Sequence, residues 1–355
     1  MLKKMNKTTK NNLITYAMVI LAFVIMQILI SAGSISSLLQ GLMVPLCTYI
    51  ILAVSLNLVV GILGELSLGH AGFMCVGAFF SKCTRDVIAS DGLRFFLALL
   101  IGIVTAAIFG MLIGIPVLRL KGDYLAIVTL AFGEIIKNMV NVLYIGKDSK
   151  GFHVTTKDVM ALNMDADGTV ILNGPQGITG TPKNSTFVIG FILILLTLFI
   201  VQNLINSRDG RAIMAIRDNR IAAESIGINI TKYKLMAFTI SAAMAGAAGV
   251  LYAHNISTLT ANTNNFGYNM SITILVFVVL GGIGNIRGSI IAAVILTLLP
   301  ELLRGMKDYR MLIYAIVLIV MMLFNWSPKA IEWREKLNDW RKKHFSFGKK
   351  AKEVE

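Results

Sequence analysis

The sequence predicts an all-α integral membrane protein of about eight to ten transmembrane helices, some of them broken by glycine. Three observations point there. Of the 355 residues, 56% are hydrophobic and only 15% charged, which is too apolar for a soluble globule whose surface is covered by polar groups. Apolar stretches recur at roughly the ~20 residues that a helix needs to cross a hydrocarbon core ~30 Å thick. Lys and Arg are unevenly shared between successive connections, as membrane orientation requires.

In chain order, the basic stretch 1–12 reads as a cytoplasmic N-terminus. Leu13–Ala32 follows; it is longer than a signal-peptide core, so an uncleaved anchor is expected. Further spans are Leu42–Val60, Phe95–Val117, Phe187–Leu204, Leu235–Ala253, Ile272–Leu280, Ile290–Leu303 and Met311–Phe324, with the shorter or more polar Leu66–Phe80 and Tyr124–Tyr144 completing ten. Entered from inside, these leave cytoplasmic pieces that hold 22 of the 33 Lys and Arg residues, against 10 in the external pieces, with Lys137 inside a span. That asymmetry and the even count put both termini in the cytoplasm. The net charge of +14 is then explained by orientation and by an anionic inner leaflet, with no nucleic-acid partner needed. Residues 13–325 form the membrane domain. The basic tail 326–355, with Trp333 and Trp340 among its charges, reads as a juxtamembrane amphipathic helix on lipid. Cys47, Cys75 and Cys83 sit in or beside apolar segments at no metal or redox spacing, so no metal site is expected and they read as small fillers.

Two loops are too large for bare connections. The external loop 145–184 is rich in Gly, Asp and Asn; it is either an ordinary surface loop or one that receives an external partner or gates the entrance. Its Asp165, Asp167 and Gly168 resemble a calcium loop only faintly, since the other ligand positions are missing. The cytoplasmic loop 205–234 contains a run, Arg211 to Ile226, free of Gly and Pro and rich in Ala, which predicts one helix. Ile213, Ile216 and Ile221 fall on its apolar side, Arg217, Asp218 and Arg220 stay wet, and Gly227 ends it as a C-cap glycine. Such a helix suits docking on another protein; lying flat on headgroups is the alternative.

Two apolar regions carry glycine clusters, VVGILGELSLGHAGF and VVLGGIGNIRGSIIAA. The second imitates a dinucleotide fingerprint, but its spacing is one residue too long and both flanks are membrane-like. In a bilayer such glycines permit close helix approach or a broken helix at a solvated pathway, and one cluster early and one late in the chain hint at an internal duplication. Ionisable groups inside a membrane are functional suspects. The candidate pathway residues are therefore Asn57, Glu65, Gly69, His70, Gly72, Glu134, Gly282 and Gly284. A structural alternative makes Glu134 and Lys137, three apart on one helix, an internal ion pair.

These residues resemble a known family, the permeases of high-affinity branched-chain amino acid importers, in particular their LivM-type subunit. The resemblance is carried by SLNLVVGILGELSLGHAGF, LRLKGDYLAIVTLAFGEIIK, NGPQGITG, GRAIMAIRDNRIAAESIGIN and LGGIGNIRGSIIAA, spread over Ser55 to Ala293. It implies the permease fold of an ATP-binding-cassette importer in the bacterial cytoplasmic (inner) membrane, moving leucine, isoleucine or valine inward. The implied partners are a homologous sister permease, two ATPase subunits that hold ATP and Mg, and an extracytoplasmic substrate-binding protein. It also implies that the helix with Arg211, Ala212, Ile216, Arg217, Ala222, Ala223, Glu224 and Gly227 couples to the ATPase. The general importer pattern, Glu-Ala-Ala followed by a Gly, is met by Ala222, Ala223 and Gly227, but Ile221 stands where the Glu would be and no Leu-Pro follows. No GxxxxGK[ST] occurs, so the chain is expected to be a transport subunit and not an enzyme. A permease for urea or a short-chain amide, and a stand-alone secondary transporter or channel, are the alternatives.

Overall fold

The structure is a computed structural model that describes residues 7–33, 36–82, 91–120, 122–149, 151–165, 168–180, 183–305 and 309–326. Cys83, Asp167 and all but the first residue of the basic tail 326–355 lie outside these. The described residues divide into two compact units, one ending at Val294 and one beginning at Ile295.

The membrane part is helical, and among the described residues eight helices are long and apolar enough to cross a bilayer. The first, α1 (Lys7–Ser31), exposes most of its apolar surface, as a lipid-facing helix does, and stacks Phe23 on Phe191 of α6 (Phe187–Asn206) with ring centroids 3.8 Å apart. By contrast α2 (Ser37–Asn57), started by the Ser36 hydroxyl accepting from the Leu39 N–H, is buried along most of its length. It continues as a π-helical turn, Leu58–Leu63, which left-handed Gly64 (φ 80°) ends.

The stretch expected as a span over Leu66–Phe80 crosses in an unexpected way. Residues 64–69 are non-helical, and the helix that follows, α3 (His70–Lys82), has 13 residues, about 20 Å at 1.5 Å per residue. His70 Nε2 lies 2.7 Å from Ser55 Oγ, eight residues (~12 Å) before the end of the π-helical turn. An extended piece and a half-helix thus share one crossing of a ~30 Å core. Helix α3 is walled by α4 (Asp91–Val117), α5 (Asp123–Val142) and α9 (Ile230–Ala253).

Helix α9 is the centre of the packing. Its Ala and Gly side is pressed against α3 and α4: Gly246 meets the backbone of Gly77, Gly249 meets the Met74 carbonyl, and Ala242 and Leu235 fill the spaces opposite Gly110 and Gly114. The pairs Gly114–Leu235, Gly110–Ala242 and Gly102–Val250 run in opposite chain directions, so α4 and α9 are antiparallel. Hydrocarbon offers no hydrophobic force between helices, so close backbone approach at small residues supplies the association.

The loop after α5 adds what the sequence reading did not foresee, a three-stranded antiparallel sheet. Strand β1 (Tyr144–Asp148) lies between β2 (Gly151–Thr155) and β3 (Thr169–Asn173). Buried Asp148 organises it by accepting from the Gly151 N–H at 3.1 Å and pairing with His153 at 3.0 Å. The following Gly-Pro-Gln turn packs under Tyr144, and Ile178 exchanges two backbone hydrogen bonds with Leu259, beyond α9. Helix α6 then leads from the sheet end to a two-helix loop, α7 (Arg208–Asp218) and α8 (Arg220–Ser225), so sheet and loop lie at opposite ends of a span. After α9 come the short α10 (Thr263–Phe266), α11 (Tyr268–Gly281) and α12 (Ile286–Leu302), the last two separated by the second glycine break. The second compact unit contains the end of α12, a short turn Leu303–Gly305 and α13 (Arg310–Trp326).

A Cβ on Gly249 has only backbone to push against, so Gly249→Ala is expected to lower stability by about 1–3 kcal/mol. Gly41→Ala, in open space on α2, should leave stability unchanged or raise it by up to about 1 kcal/mol. Thermal unfolding of the detergent-solubilised protein checks the pair.

Candidate functional site

Irregular backbone within a membrane needs partners for every freed N–H and C=O. The first break takes them from neighbouring helices. The Leu68 N–H donates to Thr129 Oγ1 of α5 at 3.0 Å, and the Ala71 N–H to Ser271 Oγ of α11 at 3.2 Å. Ser241 of α9 donates to the Ser55 carbonyl at 2.6 Å. Gly69 and Gly72 make room for this: a Cβ on Gly72 would stand 2.7 Å from Gly133 Cα, and one on Gly69 would strike the Thr129 carbonyl. Gly69 and Gly72 thus face α5, while His70 turns to Ser55 of α2.

Asn57, Glu65 and Gly284 are gathered at its other end. Asn57 Oδ1 accepts from the Gly284 N–H at 2.9 Å, and Asn57 Nδ2 donates to Ser289 Oγ at 2.9 Å, so one side chain ties the end of α2 to the second break. Gly61 and Gly284 touch backbone to backbone. Gly282 shapes the turn, where Asn285 N–H donates to its carbonyl at 2.9 Å. Glu65 pairs with Lys234 at the start of α9, whose side chain is only 4% exposed. Gly284 also lines a cavity of about 320 Å³ together with Ile62, Gln202 and Arg287, the last donating to Thr15 Oγ1.

Glu134 stands apart. It pairs with Lys137 at 2.5 Å and accepts from the Tyr268 N–H at 2.8 Å, capping α11, whose preceding Gly267 has no side chain to do so. Lys137 also reaches Thr263 Oγ1 at 3.2 Å.

In the two-helix loop the expected single helix over Arg211–Gly227 is two, because Asn219 adopts an extended backbone and caps α8 by accepting from the Ala222 N–H at 3.0 Å. That break rotates the second helix. Ile213 and Ile216 are buried, whereas Ile221, expected on their side, is 81% exposed and Ile226 75% exposed. Ala223, Ile216 and Ile230 form the small core that seats the loop on α9. Gly227 (φ 85°) closes α8 as expected, with its N–H returning to Glu224 and that of Ile228 to Ala223. Arg211 donates to the Asn206 carbonyl at 3.1 Å, while Ala222 and Glu224 face outward. Arg217 stays exposed, as expected, but its Nη1 also donates to the Gly61 carbonyl at 2.9 Å, bringing the loop against the first break.

Sequence reasoning missed Lys234, Ser289, Thr129 and Ser271. Their signal is faint, since none stands out by type or spacing from its neighbours, and becomes legible only when the break they serve is known to be non-helical.

A family model described as "Branched-chain amino acid transport system / permease component" matches residues 37–324. The chain is 35% identical to the high-affinity branched-chain amino acid transport system permease protein LivM of Salmonella typhimurium, over 91% of this chain and 75% of that protein. It is 33% identical to LivM of Escherichia coli with the same coverage. The autoinducer 2 import system permease protein LsrC of Yersinia pseudotuberculosis is 29% identical over 38% of this chain and 42% of its own length. No solved structure matches.

Glu134→Gln leaves Lys137 buried without its counter-charge and is expected to lower stability by about 3–5 kcal/mol. The double change with Lys137→Met should recover much of that loss. Unfolding of both variants in detergent tests the pair; equal losses would mean that the charge is not what matters.

Proposed function

Since the chain belongs to the family of branched-chain amino acid transport permeases, we propose that it is the membrane conduit of an ATP-driven importer that moves leucine, isoleucine or valine into the cell. The observation that carries this reading is similarity to LivM over nine-tenths of the chain. On it, residues 13–325 are the permease domain, both termini and the α7–α8 loop are cytoplasmic, and the sheet loop faces outward, in keeping with the uneven sharing of Lys and Arg. The membrane is the bacterial inner membrane. ATP and Mg are held by two separate ATPase subunits, a sister permease completes the channel, and a binding protein delivers the amino acid over the sheet loop.

The α7–α8 loop suits the ATPase contact. It is seated on α9 by Ile216, Ala223 and Ile230, yet turns Ile221 and Ile226 outward, an exposed apolar pair suited to a partner protein. Closure of the ATPases on ATP then moves a loop fixed to the start of α9 and to the end of α2. Substrate choice rests mainly with the binding protein. Asn57, Glu65 and Glu134 spend their polar atoms on backbone and on neighbouring side chains, so their part in the pathway is to hold its walls.

Uptake of radiolabelled leucine, with urea as comparison, in cells that express this chain with its partner subunits is the test. Wild-type cells should import leucine, and Ile221→Glu should cut uptake tenfold or more while the protein still reaches the membrane, the loss expected of a central interface anchor worth about 2 kcal/mol. Urea uptake without leucine uptake overturns the substrate. Leucine uptake indifferent to Ile221→Glu removes the loop from the coupling role.

A further inference from the structure

We propose that Arg217 is the positioning residue through which the α7–α8 loop acts on both glycine breaks; this rests on the reading of that loop as the ATPase contact. Three features of the geometry carry the proposal. The first is at the end of the α2 helix, where the last carbonyls have no helical donor. Left-handed Gly64 turns the chain so that its own N–H and that of Glu65 both return to Val59, and the Gly61 carbonyl takes its hydrogen bond from Arg217 Nη1 at 2.9 Å. A cation at a helix C-terminus is also favoured by the helix dipole.

The second feature is the fit of the side chain. Its stem lies over Gly64, where a Cβ would stand 2.5 Å from Arg217 Cγ, so the glycine is a seat for the arginine as well as a turn. Asp218 accepts from Nε at 3.0 Å and from Nη2 at 2.9 Å, which fixes the guanidinium plane and leaves Nη1 facing Gly61. Arginine does this and lysine does not, because only the rigid fork serves two acceptors in fixed directions.

The third feature is what Gly61 touches on its other side. Its α-carbon rests against the Gly284 backbone, and Asn57 grips the Gly284 N–H and Ser289 Oγ. From α7 to the start of α12 the path is therefore Arg217, Gly61 and Gly284, the two glycines in direct backbone contact, and then the Asn57 side chain, which joins Gly284 to Ser289. A movement of α7 draws on the carbonyl of one break and, through it, on the other. This is coupling through a contiguous set of contacts, testable by its energetics.

The test uses the complete transporter, this chain with its sister permease, ATPases and binding protein, in proteoliposomes, and reads leucine imported per ATP hydrolysed. Arg217→Ala should lower that ratio about fivefold or more without changing the KM for leucine, and Arg217→Lys should restore only part of it. Ser289→Ala, at the far end of the path and away from the loop, should lower the same ratio, and the two changes together should lose less than the product of their separate effects. A ratio within twofold of wild type for Arg217→Ala overturns the proposal, as does a fall in uptake matched by lost ATPase co-purification with the ratio unchanged. If Arg217→Ala does not fold, Ser289→Ala decides, and an unaltered ratio there overturns it. A wild-type complex that imports no leucine is a different outcome, which defeats the functional reading itself.

Discussion

A helix that breaks inside hydrocarbon finds no water to complete its hydrogen bonds, so every freed backbone group has to be answered by the protein. That requirement organises this molecule. The non-helical stretch 64–69 is answered by Thr129 from α5, and the start of α3 beyond it by Ser271 from α11; Ser241 from α9 and Arg217 from the α7 loop serve the α2 segment before it. Thr129, Ser241 and Ser271 are buried where they serve the break. Together with Arg217 they bring four elements, α5, α7, α9 and α11, to one short stretch of chain.

The two acid–lysine pairs follow the same logic. Glu134 caps α11, whose N-cap is a glycine, and Lys137 neutralises the carboxylate that remains. Glu65 stands in the first break and is matched by Lys234. Pairs of this kind add little net stability compared with apolar substitutes, but losing one partner leaves a charge stranded. Through the Tyr268 N–H and Thr263 Oγ1 the first pair also joins α5 to α11 and α10, and the second joins the break to α9.

Much of this could be read from the sequence. The apolar runs gave the spans to within a few residues, the two glycine clusters gave the sites of the breaks, and Gly227 gave the end of α8. What escaped was governed by tertiary contacts. Asn219 looked like one polar residue in a helical run, and its choice of an extended cap over a helical turn depends on α8 seating Ala223 against Ile216 and Ile230. Arg217 carried no sign of its partner, because the Gly61 carbonyl is free only once Gly64 has turned the chain. The sheet was hidden in a loop of short strands with mixed polarity, where alternation is weak.

The seam of α9 against α3 and α4 has a mechanical meaning. Where Gly77, Gly246 and Gly249 face backbone, there is no side chain to re-pack into an alternative arrangement by a rotamer change. Helices α3, α4 and α9 are therefore held together at these contacts by backbone approach. Left-handed glycines at 64, 122 and 227 stand in the connections to these three helices, places where the backbone turns without a Cβ in its way.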